Sequence, residues 1–403
     1  MIENRDFIVF GLQPWDLDIA STCKYTAIEM SKKNRVLFFN FLLTRNMMLR
    51  QKDTEQVKKR MRILKGEEPD LVKEHDNLWV LYPRTIAESV NWIPFNFIFD
   101  RFNYINNKRF AKKIKEAADK LGFKKYILFD DNNMIIGFYL KELLQPDMFI
   151  YLLRDAVTLV SYHARHGTRL QPEIIRKADF AVCNSEFFAN YARQTNPRSY
   201  MIGQGCDLSM YNDRDGTLKV PEDLEKIQKP RIGYVGFLTK IRLDIDVLVY
   251  IAEQKPEWNL TLVGPEDEAF KNSKLHQLDN VYFLGRKQPS ELAAYIKGFD
   301  VALNPQIVNE ITDVNYPLKI DEYLAMGKPT VATKTTFIEY FRDYTYLPSN
   351  KEEYVEAIEK ALQENSPQEE KRRIEYASTH TWENFVDKIY QYIGETEKMR
   401  NQT

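Results

Sequence analysis

Short apolar runs alternate with longer amphipathic segments along the whole of this 403-residue chain. Runs of this kind are typical of strands buried on both faces of a parallel sheet, and the amphipathic segments between them suit the covering helices. We therefore predict an α/β fold with parallel sheets. The predicted strands are residues 7–10, 36–39, 78–82, 126–129, 148–153, 180–183, 200–202, 232–235, 260–263, 281–284, 301–303 and 330–332.

The two halves of the chain repeat one arrangement, since each opens with a strand, a glycine-containing loop and a helix. Between them, residues 211–230 are polar and charged, and Pro230 precedes a new strand. A polar segment of this kind is typical of a linker between domains. We predict an N-terminal domain over residues 1–212, a linker over 213–229, a C-terminal domain over 230–380 and a final helix over 381–403.

The charges of the chain nearly cancel, with 57 Lys and Arg against 58 Asp and Glu and a net charge of −1. A general nucleic-acid-binding protein would be basic, so we expect no nucleic-acid partner. The three cysteines, Cys23, Cys183 and Cys206, are too few and too widely spaced for a disulfide framework or a zinc site, which suits the reducing cytosol. No signal peptide or bilayer-spanning apolar run is recognisable, so a cytoplasmic location is expected.

One segment, residues 315–333, places a cation and an acid on the same face of a predicted helix. Pro317 suits the first turn of that helix, and Gly327 suits its end. Lys319 and Glu322 are three residues apart and so share a face. The free N–H groups of the first turn, with Lys319 beside them, would bind an anion, and Glu322 would accept hydrogen bonds from sugar hydroxyls. From spacing alone, a surface ion pair on an ordinary helix is the alternative.

The string P-L-K-x-x-E-Y-L-A-x-G-K-P-x-V-A, which begins at Pro317, resembles the signature of GT-B glycosyltransferases, particularly family 4-like enzymes. The resemblance implies two Rossmann-like domains facing across a cleft, with the C-terminal helix crossing back to the first domain. It also implies that the helix beginning with Pro317 and Leu318 binds a nucleotide-sugar donor, with Lys319 near the diphosphate and Glu322 on the ribose. Many relatives have an acidic residue eight positions before this Glu, where this chain has Val314.

A second string, G-Y-V-G-F-L-T-K-I-R-L-D, resembles the opening of the donor-binding domain in the same enzymes. The resemblance implies that the backbone around Gly236 and Phe237 approaches the diphosphate, and that Arg242, with Lys240 beside it, neutralises its charge. Family members often have a basic residue where this chain has Phe237. Loops after the next two strands would complete the pocket near the base or the ribose, with an ordinary strand–helix turn as the alternative for each. Their residues are Gly264, Gly285, Arg286 and Lys287.

The first half of the chain has polar residues at strand ends, where the resemblance places the acceptor. The side chains expected on the acceptor side are Gln13, Trp15, Asp130 and Asp131. Asp155 follows another predicted strand and His163 lies shortly after it, and we expect both to take part in catalysis. A purely structural role is the alternative for each of these side chains.

An aromatic stretch over residues 92–99 is followed by a basic segment over residues 101–115. An apolar surface beside cations can dock on an anionic membrane face. We therefore expect an anionic membrane surface as a partner, with the protein peripheral at the inner face of the membrane. A solvated helical hairpin that covers a sheet edge is the alternative.

Together these patterns predict a hexosyltransferase-type glycosyltransferase that moves a sugar from a UDP- or GDP-sugar to a glycan or lipid-linked acceptor in cell-surface polysaccharide or glycoconjugate biosynthesis. The basic cluster would stabilise the leaving diphosphate, so no metal ion and no cofactor are expected. The resemblance implies retention of the anomeric configuration. A sugar-nucleotide epimerase or a non-catalytic sugar-nucleotide-binding protein on the same fold is the alternative. The cofactor lysine or phosphate pocket of a phosphorylase is not recognisable.

Overall fold

The computed structural model describes residues 2–16, 21–40, 42–213, 215–310 and 312–402 of the chain. The chain divides into two compact units. The first unit comprises Met1–Gly205 together with Trp382–Thr403, and the second comprises Cys206–Thr381. Both units are α/β with mainly parallel sheets, so the predicted fold class is confirmed.

The strands of the two units are numbered together in chain order. They are β1 (Asp6–Gly11), β2 (Arg35–Phe39), β3 (Leu43–Thr44), β4 (Leu71–His75), β5 (Leu78–Leu81), β6 (Ile86–Ala87), β7 (Tyr126–Asp131), β8 (Met148–Leu153), β9 (Phe180–Cys183), β10 (Ser199–Met201), β11 (Arg231–Val235), β12 (Asn259–Val263), β13 (Val281–Gly285), β14 (Val301–Asn304) and β15 (Thr330–Ala332).

The α-helices follow the same convention. They are α1 (Thr22–Ser31), α2 (Arg45–Arg50), α3 (Glu55–Lys65), α4 (Asn96–Leu121), α5 (Leu140–Leu144), α6 (Ser161–Lys177), α7 (Glu186–Arg193), α8 (Glu222–Glu225), α9 (Ile245–Gln254), α10 (Glu268–Lys271), α11 (Leu292–Lys297), α12 (Leu318–Ala325), α13 (Lys351–Glu364), α14 (Pro367–Ala377) and α15 (Trp382–Gln402). Among the described residues, no helix is both long and apolar enough to cross a membrane.

Eight strands of the described residues form the main sheet of the first unit, in the order β10-β9-β8-β7-β1-β2-β5-β4. Neighbouring strands are parallel except that β4 runs antiparallel to β5. The apolar runs that predict β1, β7 and β8 correspond to strands buried at every residue. The sequence does not indicate β4, because this edge strand has the polar sequence LVKEH and its last three residues are exposed.

In the described part of the second unit, five parallel strands form a sheet in the order β13-β12-β11-β14-β15. Successive side chains on a strand point to opposite faces of the sheet. On one face Val235 and Ala302 pack with Ile320 and Tyr323 of α12. The opposite face, which includes Tyr234, packs on α9 and α13 through a separate apolar cluster. One layer of the core therefore lies directly beneath α12.

Residues 213–229, predicted as a linker, pack on the second unit, and Arg214 among them lies outside the described residues. Leu224 is fully buried in the core of that unit, and Ile227 joins the same cluster. The Nζ atom of Lys297 donates to the Leu218 carbonyl at 2.7 Å. The segment is thus fixed by apolar burial and by a directional hydrogen bond.

The C-terminal helix α15 belongs to the first unit. Its apolar face, which includes Phe385, Ile389 and Ile393, is buried in the same core as β1 and β2. The Tyr390 hydroxyl accepts a buried hydrogen bond of 2.8 Å from the Asn34 side chain. The helical spacing of apolar residues in the last segment therefore corresponds to one buried helix face.

Gly205 contacts α15 and Gly394 lies within it, and the two glycines differ in the space available for a side chain. A Cβ on Gly205 would lie 2.3 Å from a ring atom of Trp382, whereas a Cβ on Gly394 would meet nothing within 4 Å. We expect Gly205→Ala to lower the free energy of unfolding by about 1–3 kcal/mol through overpacking. Gly394→Ala is the control, and better helix propensity should raise that free energy by up to about 1 kcal/mol. Denaturant titration measures the free energy of unfolding of both variants. Equal stability of Gly205→Ala and wild type would contradict the close packing of Trp382 on Gly205.

Candidate functional site

Three segments of the second unit meet where β11 and β12 end. Gly236 follows β11 with φ of 143°, and Gly264 follows β12 with φ of 148°. A Cβ on Gly264 would lie 1.8 Å from the Gly236 carbonyl oxygen, and a Cβ on Gly236 would lie 2.4 Å from Lys319 Cε. Both positions therefore require glycine on conformational and steric grounds. The carboxyl ends of parallel strands are where ligands bind in open α/β sheets.

Lys319 lies on α12 directly over this glycine junction. Its Nζ atom is 5.6 Å from the centre of the Tyr234 ring. Burial of the side chain lowers the pKa of Lys319, the nearby Glu322 carboxylate raises it, and the positive charge of Arg242 lowers it. The site thus gathers two cations and one carboxylate within electrostatic reach of one another.

Glu322 lies one helical turn after Lys319 and is half-buried. Burial raises the pKa of Glu322, while the charge of Lys319 and a hydrogen bond with the Tyr211 hydroxyl lower it. Desolvation of a carboxylate strengthens its hydrogen bonds to any hydroxyl groups that reach it. The arrangement is therefore suited to an acceptor of hydrogen bonds beside an anion-binding cation.

Helix α12 begins at Leu318, so Pro317 occupies the position before the helix and not its first turn. Among the described residues, no side chain caps this helix start. The helix ends as predicted, because Gly327 has φ of 71° and the Lys328 N–H donates to the Tyr323 carbonyl at 2.9 Å. An uncapped first turn leaves backbone N–H groups for an external acceptor.

The loop that carries Lys240 and Arg242 is fixed through its backbone. The Ile307 N–H donates to the Arg242 carbonyl at 2.9 Å, and the Lys240 N–H donates to the Asp267 carboxylate at 2.8 Å. Both cationic side chains are exposed, and so is the adjacent ring of Phe237. The fixed backbone with exposed cations suits an interaction with an external anion.

The two predicted cations in the loop after β13, Arg286 and Lys287, differ in exposure and in their partners. Gly285 has φ of 69° and is exposed, as is Arg286. Lys287 instead directs its Nζ atom to the Asp223 carboxylate at 2.6 Å and lies 4.9 Å from the centre of the Tyr295 ring. The Lys287 side chain therefore connects this loop to α8, which leaves Arg286 as the cation of this pair that is directed to solvent.

The connection before α12 lacks an acid at the position eight residues before Glu322. Val314 is buried there at 5% exposure. The neighbouring Asp313 accepts hydrogen bonds from the Thr336 N–H at 2.8 Å and from its hydroxyl at 2.7 Å. Asp313 thus fixes a neighbouring turn, and it does not substitute for the acid that Val314 replaces.

In the first unit, the loop after β1 has one exposed and one buried predicted residue. Gln13 is exposed. Trp15 is 6% exposed, and its ring centre is 5.1 Å from that of Phe38. The backbone N–H of Trp15 donates to Asn40 Oδ1 at 3.0 Å. The Trp15 side chain is therefore a core residue, and Gln13 is the residue of this pair that an external molecule reaches.

The carboxylates at the end of β7 are fully buried. Asp130 Oδ1 accepts from the Asn133 N–H at 2.9 Å, and Asp131 Oδ1 accepts from Arg154 Nε at 2.7 Å. Burial raises the pKa of both acids, and for Asp131 the charge of Arg154 lowers it. Arg154 also pairs with Asp155, so the predicted residues Asp131 and Asp155 share one guanidinium.

His163 lies on α6 and is half-buried. Burial lowers the pKa of its imidazole below the ordinary value of 6.5. The ring is therefore mainly neutral at neutral pH, and a neutral imidazole can accept a proton.

Sequence reasoning missed a buried polar group beside Glu322. Asp321 is fully buried, with Oδ1 2.6 Å from His380 Nδ1 and Oδ2 accepting from the Tyr316 hydroxyl at 2.6 Å. An acid on the apolar face of α12 is the only sequence signal for it. Among the described residues, no group of three or more His, Cys, Asp or Glu side chains is arranged to hold a metal ion.

Residues 229–364, which lie in the second unit, match the protein family described as Glycosyl transferases group 1. The chain is also 26% identical over 236 residues to the putative teichuronic acid biosynthesis glycosyltransferase TuaH of Bacillus subtilis (strain 168). That match covers 55% of this chain and spans 58% of the length of the relative.

Solved structures resemble the chain over nearly its whole length. Sucrose-phosphate synthase from Thermosynechococcus elongatus has a TM-score of 0.64 at 16% identity, with 98% of this chain and 100% of that chain covered. Alr3699/HepE of Anabaena in complex with UDP and glucose has a TM-score of 0.61 at 14% identity, with 97% and 100% covered. The chain therefore has the GT-B fold, as the resemblance implies.

The pH dependence of stability tests the raised pKa of the Asp130 carboxyl. Because burial raises its folded-state pKa above the unfolded value, its contribution to stability is complete below the unfolded pKa and is lost as pH rises through the folded pKa. Asp130→Asn keeps the acceptor for the Asn133 N–H and removes this loss. We expect the melting temperature of the variant to gain on wild type as pH rises from about 4 to about 8. Differential scanning calorimetry across that range checks this, and parallel curves would contradict a raised pKa.

Proposed function

We propose that this protein is a glycosyltransferase that moves a sugar from a UDP- or GDP-sugar to a glycan or lipid-linked acceptor in polysaccharide biosynthesis. The observation that carries the proposal is the junction of Gly236, Gly264 and Lys319, with Glu322 one turn away. The group 1 domain and the likeness to TuaH support sugar transfer. The complex of HepE with UDP and glucose supports a uridine nucleotide as one donor to test first.

The proposed donor site uses α12 for the nucleotide. The uncapped N–H groups at Leu318 and the Lys319 ammonium would bind the diphosphate. Glu322 would accept hydrogen bonds from the ribose hydroxyls. The glycine junction permits backbone and phosphate to approach closely, because a Cβ at either position would fill the space. Arg286, exposed at the end of β13, would lie near the base or the ribose.

In the reaction, the bond between the anomeric carbon and the diphosphate oxygen breaks, and its electron pair stays on the diphosphate. The acceptor oxygen forms the new bond and loses its proton. Arg242, Lys240 and Lys319 would stabilise the growing negative charge in place of a metal ion. A mainly neutral His163 could take up the acceptor proton, and Asp155 is the second expected catalytic residue. We carry forward a hexosyl donor and retention of configuration from the family resemblance.

The proposal is tested by incubating the purified chain with UDP- and GDP-sugars and a glycan or lipid-linked acceptor. We expect sugar transfer, with full activity in EDTA. Transfer that is lost in EDTA and restored by magnesium or manganese would contradict the role given to the cations. Donor binding without transfer or hydrolysis would assign the chain to the non-catalytic binding proteins, and conversion of the donor sugar without an acceptor would indicate an epimerase.

We expect Arg242→Ala to lower turnover by about 10²–10³ and to weaken donor affinity far less. The charge of the terminal phosphate grows as the glycosidic bond breaks, so a cation there counts for more in the transition state. Steady-state kinetics with the donor varied measure this, and Lys334→Ala, a cation outside the proposed site, is the control. A raised Michaelis constant with unchanged turnover would assign Arg242 to uniform binding.

We also propose that the enzyme works at the inner face of an anionic membrane. Three rings of the predicted aromatic stretch are exposed: Trp92 at 69%, Phe95 at 59% and Phe97 at 75%. Their neighbours Ile93 and Phe99 are buried, so the stretch is buried on one side, where both contact His166, and faces solvent with the other. An exposed apolar cluster of this kind marks an interaction surface.

A second segment extends this surface. Leu159, Val160 and Tyr162 are exposed. They lie close to the aromatic stretch, because Arg165 donates to the Trp92 carbonyl at 2.7 Å and His166 is bonded to the Ile93 carbonyl at 2.8 Å.

Cations follow the apolar surface along α4. Within residues 101–115 the exposed cations are Arg101, Lys108, Lys112 and Lys115, and none of them forms an ion pair with another described residue. Their spacing of three to seven residues keeps them near one helix face. Each basic residue near anionic lipid contributes about 1 kcal/mol, so a few would give salt-sensitive binding.

Vesicle flotation tests this surface. We expect wild type to float with vesicles that contain phosphatidylglycerol at low salt, but not with pure phosphatidylcholine vesicles. Trp92→Ser with Phe97→Ser, or Lys112→Glu with Lys115→Glu, should abolish flotation. Phe187→Ser, which changes an exposed ring on α7, should float like wild type. Absence of flotation with anionic vesicles would favour an acceptor that is not in a membrane.

A further inference from the structure

Asp321 is the neighbour of Glu322 on α12, but its side chain is fully buried in the core. Both of its oxygens are held, Oδ1 by His380 Nδ1 at 2.6 Å and Oδ2 by the Tyr316 hydroxyl at 2.6 Å. Burying a carboxylate is costly unless its hydrogen bonds are satisfied. The two hydrogen bonds offset this cost, and they give α12 a directional contact that an apolar residue could not make.

His380 packs against aromatic residues, and its Nε2 atom lies 3.3 Å from the Tyr340 hydroxyl. Its ring lies among aromatic rings, with centroids 4.6 Å away for Tyr376 and 5.8 Å for Tyr340. Its carbonyl accepts from the Cys206 N–H at 2.8 Å. When Asp321 is ionised it only accepts hydrogen bonds, and Nδ1 then carries the proton toward it. The bond at Asp321 therefore has a fixed donor whose place is set by the surrounding rings.

Helix α12 depends on such contacts because it has only eight residues. Short helices are stabilised mainly by tertiary packing and not by their own hydrogen bonds. Two further bonds fix it: the Tyr323 hydroxyl accepts from the Val235 N–H at 3.0 Å, and the Gly327 carbonyl accepts from Arg373 Nε at 2.8 Å. Asp321 lies next to Glu322 and two positions after Lys319, so its bonds hold the helix at the part that carries these two side chains.

Rotation of α12 about its axis would move Lys319 and Glu322 together. A displacement of 1 Å in a binding group can cost about 10²-fold in rate. We propose that His380 and Tyr316 are positioning residues, which act through Asp321 to set the rotation of α12 and so the placement of Lys319 and Glu322 on the donor. This inference rests on the function proposed above and adds two residues that do not themselves touch the donor.

The test separates positioning from simple stabilisation. His380→Ala removes the donor to Asp321, whereas the side-chain amide of His380→Asn, attached at Cγ as Nδ1 is, can restore it. Tyr390→Phe is the matched control, because it removes a buried bond of 2.8 Å to Asn34 in the first unit. For each variant we would measure the melting temperature, the Kd of UDP and of GDP by calorimetry, and KM and kcat for the sugar nucleotide that the wild type uses.

We expect His380→Ala to raise the Kd of the nucleotide and the KM of the donor about 10-fold or more at temperatures where the variant is fully folded. His380→Asn should recover most of that affinity. Tyr390→Phe should lower the melting temperature and leave Kd and KM unchanged. If His380→Ala does not fold, Tyr316→Phe, which keeps the ring and loses only the hydroxyl, should raise Kd and KM about 3-fold or more.

Two results would overturn the inference in different ways. A lower melting temperature with unchanged Kd and KM in His380→Ala and Tyr316→Phe would leave the bonds as stabilising contacts, with the proposed function intact. Failure of the wild type to bind UDP or GDP would contradict the proposed function and the positioning role together.

Discussion

The close approach of Gly236 and Gly264 is the constraint on which the site of the second unit depends. A Cβ on Gly264 would lie 1.8 Å from the Gly236 carbonyl oxygen, and a Cβ on Gly236 would displace Lys319. Because neither position admits a side chain, the ends of β11 and β12 can lie directly beneath α12. Lys319, the start of α12 and the two strand ends can lie close together because Gly236 and Gly264 have no Cβ atoms.

Helix α12 combines a buried face with a polar one. Ile320, Tyr323 and Leu324 pack in the core, while Lys319 lies against Gly236 and Glu322 is bonded to the Tyr211 hydroxyl. Burial lowers the pKa of Lys319 and raises the pKa of Glu322, which favours the neutral form of each. The charge of each residue partly offsets the shift of the other. A site of this kind is arranged before any ligand arrives, which lowers the cost of ordering it on binding.

Local rules were enough to predict much of this architecture. The apolar runs identified the buried strands, and the spacing of Lys319, Glu322 and Gly327 identified α12 with its shared face and its end. These features depend on residues within a few positions of one another. The family resemblance to GT-B enzymes then supplied the fold, which the solved structures confirm.

What could not be predicted depends on contacts between distant parts of the chain. Lys287 pairs with Asp223, 64 residues earlier, and His380 with Asp321, 59 residues earlier. Trp15 follows a strand, as ligand-binding loop residues do, but its ring fills the core against Phe38. No spacing rule distinguishes such a residue from an exposed one, because its burial is decided by the tertiary packing.

The central claim, that α12 binds the ribose and diphosphate of a nucleotide sugar, is tested most directly by calorimetric titration of UDP and GDP into wild type and Glu322→Ala. A hydrogen bond to a charged group contributes about 1.5–3 kcal/mol, so the variant should bind about 10- to 100-fold more weakly. Its melting temperature should be close to that of wild type, because Glu322 is only half-buried. Equal affinity of the two proteins for the nucleotide would contradict the account.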